Sequence, residues 1–109
     1  MRLATLFALT SFVLAGAART APTRTVSGVV TDNLGNALPG AVVEIENTRS
    51  MAVGSYITQK DGRFFFHQLS TDNAYTLRAR YRALWSKPRL LNKFTSGARV
   101  TIDLRIRTQ

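Results

Sequence analysis

Val26-Ser27-Gly28-Val29-Val30-Thr31-Asp32, then Gly35, then Leu38-Pro39-Gly40-Ala41-Val42-Val43 is the stretch on which the reading of this chain turns. Val26 to Thr31 has the β-branched content of a strand. Asp32-Asn33-Leu34-Gly35-Asn36 follows with Asx and Gly residues that close tight turns and tolerate positive φ, so the chain reverses there. Ala41, Val43 and Ile45 then alternate with Val42, Glu44 and Glu46, which puts two carboxylates on one face of a second strand, toward solvent. Gly28 inside the first strand predicts a close backbone approach or a bulge. Gly40-Ala41 lets the second strand begin where a larger side chain would crowd the sheet.

Working outward, Val53 to Thr58 reads as a third strand. Lys60-Asp61-Gly62-Arg63 is an Asp-Gly hairpin signal that leads into Phe64-Phe65-Phe66. Phe64 and Phe66 share a face and are core candidates, which leaves Phe65 at an edge or under a loop. Tyr75, Leu77, Ala79 and Tyr81 alternate with Thr76, Arg78, Arg80 and Arg82, giving one apolar face and one with three arginines. Pro88 predicts an edge strand or a bend around Leu84 to Leu91. Gly97 opens the last strand, Val100 to Arg107, where alternation is the most regular in the chain. The pattern is all-β.

Composition narrows the possibilities further. The 109 residues hold 45% apolar side chains and a formal charge of +9, enough for one small basic domain and too little for a multi-domain enzyme. Met1-Arg2 followed by the apolar run Leu3 to Leu14 and the small residues Ala15-Gly16-Ala17-Ala18 reads as a cleavable signal peptide over residues 1–18. Cleavage after Ala17 or Ala18 suits the peptidase, with Ala18 preferred. A spanning anchor needs about 20 apolar residues, and Leu3 to Ala18 is shorter. No lipid anchor is possible after Leu14-Ala15-Gly16, because Ala17 stands where the lipidated cysteine would be. The expected organisation is leader 1–18, linker 19–24 and one domain over 25–109, secreted or periplasmic, with no membrane anchor after cleavage. With no cysteine, an exported domain must rely on core and strand pairing for its stability.

Taken together, Val26 to Asp32, Gly35 and Leu38 to Val43 resemble the opening hairpin of the carboxypeptidase regulatory-like family. Thr58 to Phe66, Leu69 and Tyr75-Thr76-Leu77 are similar to that family's turn, aromatic strand, leucine and tyrosine strand. The resemblance covers about Thr25 to Ala83, with the last strand fitting in position and pattern. It implies a transthyretin-like, immunoglobulin-like β-sandwich of about seven strands, and says little of function. Ala37 departs from a frequent proline, and Asp72-Asn73-Ala74 from the usual Pro-Gly. The peptidase that gives the family its name would be a separate and much larger domain.

An enzyme fails on inventory. His67 is the single histidine, so no multi-histidine metal site forms within one chain, and alternation sets it opposite Phe64 and Phe66 on the outer face. Asp32, Gly35, Gly40, Asp61 and Gly62 are turn formers before anything else. Asp32-Asn33 with Asn36 falls short of a calcium loop in spacing and ligand count. Neither a nucleophile elbow nor a phosphate-binding glycine loop occurs, and no cofactor is implied.

Charge carries the functional content. Residues 19–77 balance five cations with five carboxylates, whereas residues 78–109 hold nine cations against Asp103 alone. If the tyrosine strand and the last strand share a sheet, Arg78, Arg80, Arg82, Arg105 and Arg107 leave by one face, which would attract polyanions. A merely solvated basic surface is the competing reading. Trp85 is either a core or edge-packing residue or, flanked by Arg82 and Lys87, a glycan-stacking platform. The expected role is a non-enzymatic interaction or structural module for an envelope or extracellular partner, bound through a basic face or sheet edge. The alternative is a carbohydrate-binding module. A protein or an anionic polysaccharide is the expected partner, nucleic acid is not, and the oligomeric state stays open.

Overall fold

The computed structural model describes residues 22–95 and 97–108. The expected leader, residues 1–18, lies outside the described residues. The strands are β1 (Thr23–Asp32), β2 (Val42–Asn47), β3 (Val53–Ile57), β4 (Arg63–Ser70), β5 (Tyr75–Tyr81), β6 (Leu84–Trp85), β7 (Arg89–Leu91), β8 (Arg99–Thr101) and β9 (Leu104–Ile106). One sheet runs β4-β1-β8 with β9 also on β1, and the other runs β3-β2-β5-β6 with β7 also on β5. β6 and β7 are two halves of one antiparallel pass along β5, and β8 and β9 are two halves of one parallel pass along β1. The segments therefore amount to a seven-pass sandwich, as the family resemblance implies.

The core follows the period of two. Val26 and Val30 of β1, Phe64 of β4 and Ile102, Leu104 and Ile106 of the last pass meet Val43, Ile45, Leu77 and Ala79 of the other sheet, all buried. Full burial of a side chain such as Phe64 or Leu77 contributes about 1.5–3 kcal/mol each. Phe66 is partly buried against this core. Phe65 lies on the opposite face, edge-on to Tyr56 at 6.4 Å and stacked on His67 at 6.1 Å.

The turn signals hold, but not all of the pairings. Asp32 Oδ1 accepts from the amides of Leu34 and Asn36, both at 2.9 Å, and Oδ2 accepts from Asn36 Nδ2 at 3.2 Å. These bonds, the Asn36 amide foremost, hold the Asp32 carboxyl below its ordinary value. Their contribution is present at neutral pH and is lost as pH falls through that lowered value. Gly35 takes φ +88° within the reversal. The reversal pairs β1 only at Thr31–Ala37. β2 then crosses to the other sheet, so β1 and β2 do not form an extended hairpin. Likewise Asp61-Gly62 is a turn, closed by the Gly62 amide on Gln59 O at 2.8 Å. It joins β3 and β4 of different sheets rather than two strands of one hairpin. Alternation assigns each strand a face and leaves its partner open. The phenylalanines of β4 are satisfied against β1, on the sheet facing β2 and β5.

Two expected strands differ in extent. The first strand, expected from Val26, begins at Thr23. The last strand is not continuous, because Ile102 and Asp103 interrupt it. The interruption lies where the chain comes closest to β1: a Cβ at Gly28 would fall on the carbonyl oxygen of Ile102 and lie 2.9 Å from Phe64 Cζ. Ile102 instead donates its amide to Ser27 O at 2.8 Å, and Asp103 Oδ1 accepts the Val29 amide at 3.0 Å. A side-chain oxygen replaces a backbone partner where the ladder is broken.

The same device recurs twice. Thr58 Oγ1 accepts the Ala41 amide at 2.9 Å and donates to Leu38 O at 2.6 Å, locking the Leu38-Pro39-Gly40-Ala41 corner, where Gly40 takes φ +78°. Ser86 Oγ accepts the Ala79 amide at 2.8 Å, between β6 and β7, as the expected bend at Pro88 requires. A buried amide left unpaired costs about 1–3 kcal/mol. Thr58→Val keeps the shape and removes both hydrogen bonds, so it should lower stability by about that amount in denaturant unfolding. Gly28→Ala should cost about 1–3 kcal/mol or more through overpacking. It should also accelerate amide exchange at Ile102, the residue forced to move.

Candidate functional site

Arg78 and Arg80 leave β5 on the outer face of its sheet. Glu44 stands opposite Arg78 in the ladder, and Arg78 Nη2 reaches Glu44 Oε1 at 3.4 Å. Trp85 stands opposite Arg80. Its ring lies 4.1 Å from the Arg78 guanidinium carbon and 5.6 Å from that of Arg80, each measured to the ring centroid. Stacking of this kind at exposed sites is worth about 0.5–1 kcal/mol. Trp85 is 43% exposed, so it is neither a core residue nor a bare platform. One of its faces is covered by Arg78.

Arg82 does not continue the row. β5 ends at Tyr81, and Arg82 occupies the β5–β6 turn with φ +59°, its guanidinium 5.2 Å from the Tyr81 ring centroid. Nor do Arg105 and Arg107 share a sheet with Arg78 and Arg80, since β9 pairs β1 and β5 pairs β2. The expected single arginine face is therefore absent. Of the five, only Arg105 and Arg107 meet in one groove, where two sheet edges approach each other, an arrangement that the strand pattern does not encode.

Where the β6–β7 edge approaches β9, Arg89 Nη1 donates to Asp103 O at 2.9 Å. Beside this contact lies a groove of about 300 Å³, lined by Trp85, Lys87 and Arg89 on one side and by Asp103, Leu104, Arg105 and Arg107 on the other. A second groove of about 420 Å³ shares Arg89, Asp103, Leu104 and Arg105 and continues to Val29, Thr31 and Gly35. Among the described residues, Arg78–Glu44 is the one ion pair. Among the described residues Lys87, Arg89, Arg105 and Arg107 therefore converge without forming an ion pair, and the one carboxylate of the groove, Asp103, accepts the Val29 amide. Such a cleft draws anions, with a range of about 8 Å at physiological salt.

Lys87 and Arg89 enter the sequence reading only as members of a basic segment. Their placement depends on the Ser86-Lys87-Pro88 break, which turns the edge strand toward β9. Arg24 is a second unforeseen feature. It is 1% exposed between the sheets and donates to Thr95 O at 3.0 Å and Asn73 O at 3.2 Å, tying together the β4–β5 and β7–β8 loops. Its even position, in phase with Val26 and Val30, is the signal that could have found it. His67 is exposed on the outer face of the other sheet, with Nδ1 3.3 Å from Thr25 Oγ1. Among the described residues, no three His, Asp or Glu side chains converge.

The family model of the carboxypeptidase regulatory-like domain matches residues 25–107. No significant match was found among curated proteins. Similar solved structures include the dioxygenase domain of a dioxygenase carbohydrate-binding protein fusion from Streptomyces sp. SirexAA-E. Its TM-score is 0.61 at 14% identity, over 85% of this chain and 84% of that one. BcpA, the major pilin subunit of Bacillus cereus, gives 0.63 at 9% identity, over 80% of this chain and 30% of that one. The C-terminal fragment of pilus adhesin SpaC from Lactobacillus rhamnosus GG gives 0.54 at 12%, over 79% and 45%. At these identities the likeness is one of fold.

Trp85 is the single tryptophan, so its fluorescence reports this corner alone. Arg78→Ala should uncover the ring and raise the acrylamide quenching constant, and an unchanged constant would mean that the stacking is not maintained in solution.

Proposed function

The chain belongs to the carboxypeptidase regulatory-like domain family, and we propose that it acts as a non-enzymatic interaction module whose basic groove holds an anionic partner outside the cytoplasm. The observation that carries this reading is the convergence of Lys87, Arg89, Arg105 and Arg107 on one cleft whose single carboxylate, Asp103, forms no ion pair with them among the described residues. Like charges gathered in this way repel one another, and an external anion relieves the repulsion. The second groove lengthens the path past Arg89 and Arg105, which suits an extended polyanion better than a single small ion. An extracytoplasmic setting rests on the leader pattern of residues 1–18. The pilus proteins among the structural neighbours support a role in surface interactions in general.

Non-enzymatic action is supported by where the chemistry-bearing groups lie. The groove offers one carboxylate, Asp103, which is already committed to the Val29 amide. His67 sits on the outer face of the β4–β1 sheet and does not line the groove. A second reading, a neutral-glycan module, draws on the partial exposure of Trp85. It is weaker, because Arg78 lies 4.1 Å from the ring centroid and occupies a face that a sugar would need.

The test is an amide NMR titration with polygalacturonate and with dextran, at about 20 mM and about 500 mM salt. Polygalacturonate should shift Lys87, Arg89, Arg105, Arg107 and the Trp85 indole at low salt, and the shifts should fade at high salt. Lys87→Glu combined with Arg107→Glu should weaken that binding by about tenfold or more while the melting temperature is kept. Salt-resistant shifts around Trp85 with dextran would replace this reading with the glycan module. Shifts in neither titration would overturn polyanion binding.

A further inference from the structure

We infer that β3 is a self-association edge, through which two copies of this chain join their sheets about a two-fold axis at Ser55. The inference starts from how each free edge is guarded. Sheet edges recruit other strands unless charge, proline, bulges or breaks prevent it. Among the described residues, the β4 edge carries Arg63 and His67 and is kinked within the strand at Gln68, φ +58°. The β6–β7 edge is broken at Lys87-Pro88, and the β8–β9 edge is broken at Ile102-Asp103 and carries Arg99 and Arg105. β3 has none of these guards. From Met51 to Thr58 there is no charged residue and no proline, and its ladder with β2 runs Val42–Ile57 to Glu46–Val53 without a shift. Val53 and Ile57 are 59% and 66% exposed.

The hydrogen-bond phase decides which groups are available. Thr58 donates its amide to Ala41 O at 2.8 Å, and Asn47 donates to Ala52 O at 2.9 Å. Antiparallel ladders alternate, so the hydrogen-bonded pairs are Ala41–Thr58, Val43–Tyr56, Ile45–Gly54 and Asn47–Ala52. The N–H and C=O groups of Val53, Ser55 and Ile57 therefore point away from β2, toward open solvent.

A second copy fits this edge without rearrangement. With Ser55 opposite Ser55 of the other copy, all the outward groups of Val53, Ser55 and Ile57 find partners. Val53 then faces Ile57 across the axis, twice, on the same surface, so the two exposed apolar side chains cover one another. Charge points to the same occupant. The chain carries +9 overall, which opposes self-association, but β3 lies at the opposite edge of its sheet from β6 and β7, where the cations gather. Pairing at β3 joins the neutral edges and leaves one basic groove at each end of the dimer.

Sedimentation velocity of the purified protein from about 5 µM to about 1 mM should show a monomer–dimer equilibrium. Ile57→Lys should raise the dimer dissociation constant at least about tenfold, because the axis repeats each substitution. Val53→Lys with Ile57→Glu should restore the dimer, since this register alone sets the new opposite charges against each other. Should a variant fail to fold, amide exchange in the unaltered protein is decisive. Rising concentration should slow the amides of Val53, Ser55 and Ile57 and leave Gly54 and Tyr56 unchanged. A monomer throughout the range would overturn the inference, as would a dimer indifferent to these substitutions or exchange without the alternation.

Discussion

The close approach of the Ile102 carbonyl to Gly28 is the constraint on which the rest of the fold depends. β1 is the one strand that supports an antiparallel neighbour on one side and a parallel pass on the other. The parallel pass reaches it only because residue 28 has no side chain. From that contact follow the break in the last pass, the capture of the Val29 amide by Asp103, and the burial of Ile102, Leu104 and Ile106. The break also sets β9 beside the β6–β7 edge. Asp103, Leu104 and Arg105, which line the basic groove, follow directly on that contact in the chain.

Small polar side chains make such breaks tolerable. Thr58, Ser86 and Asp103 each accept a main-chain amide where two strands part, and none of them carries a function that the sequence would single out. An unpaired buried amide in these positions would cost about 1–3 kcal/mol. The edges broken at Ser86 and at Asp103 are rich in cations, while the unbroken edge at β3 is neutral. Irregularity and charge have been placed together at one side of the sandwich, and regular backbone at the other.

Much of the fold is legible in the sequence because burial on one face imposes a period of two. That period gives Phe64 and Phe66 their face, sets His67 outside, turns Glu44 and Glu46 to solvent, and marks Gly28 as an intruder in a strand. Turn chemistry is equally local, so Asp32, Gly35, Gly40, Asp61 and Gly62 are read where they stand. Pairing is not local. The Asp61-Gly62 turn has the residues of a hairpin and joins two sheets, and the most regular alternation in the chain belongs to a strand that is broken. Arg24 shows the same limit in reverse. Its periodic position is apparent, but only the loops of Asn73 and Thr95 supply the carbonyls that let a guanidinium be buried.

By itself the sequence determined a β-sandwich of one small domain, the members of its core, its turns, and a cationic excess confined to residues 78–109. These properties depend on residue type, spacing and local backbone preference, all of which are present in the linear chain. Tertiary structure alone decided which cations meet. It separated Arg78 and Arg80 from Arg105 and Arg107 into different sheets, withdrew Arg82 into a turn, and brought Lys87 and Arg89 into the groove. The reason is geometric. A strand's period tells which way a side chain points from its own sheet, and the approach of two sheet edges depends on packing between residues far apart in sequence.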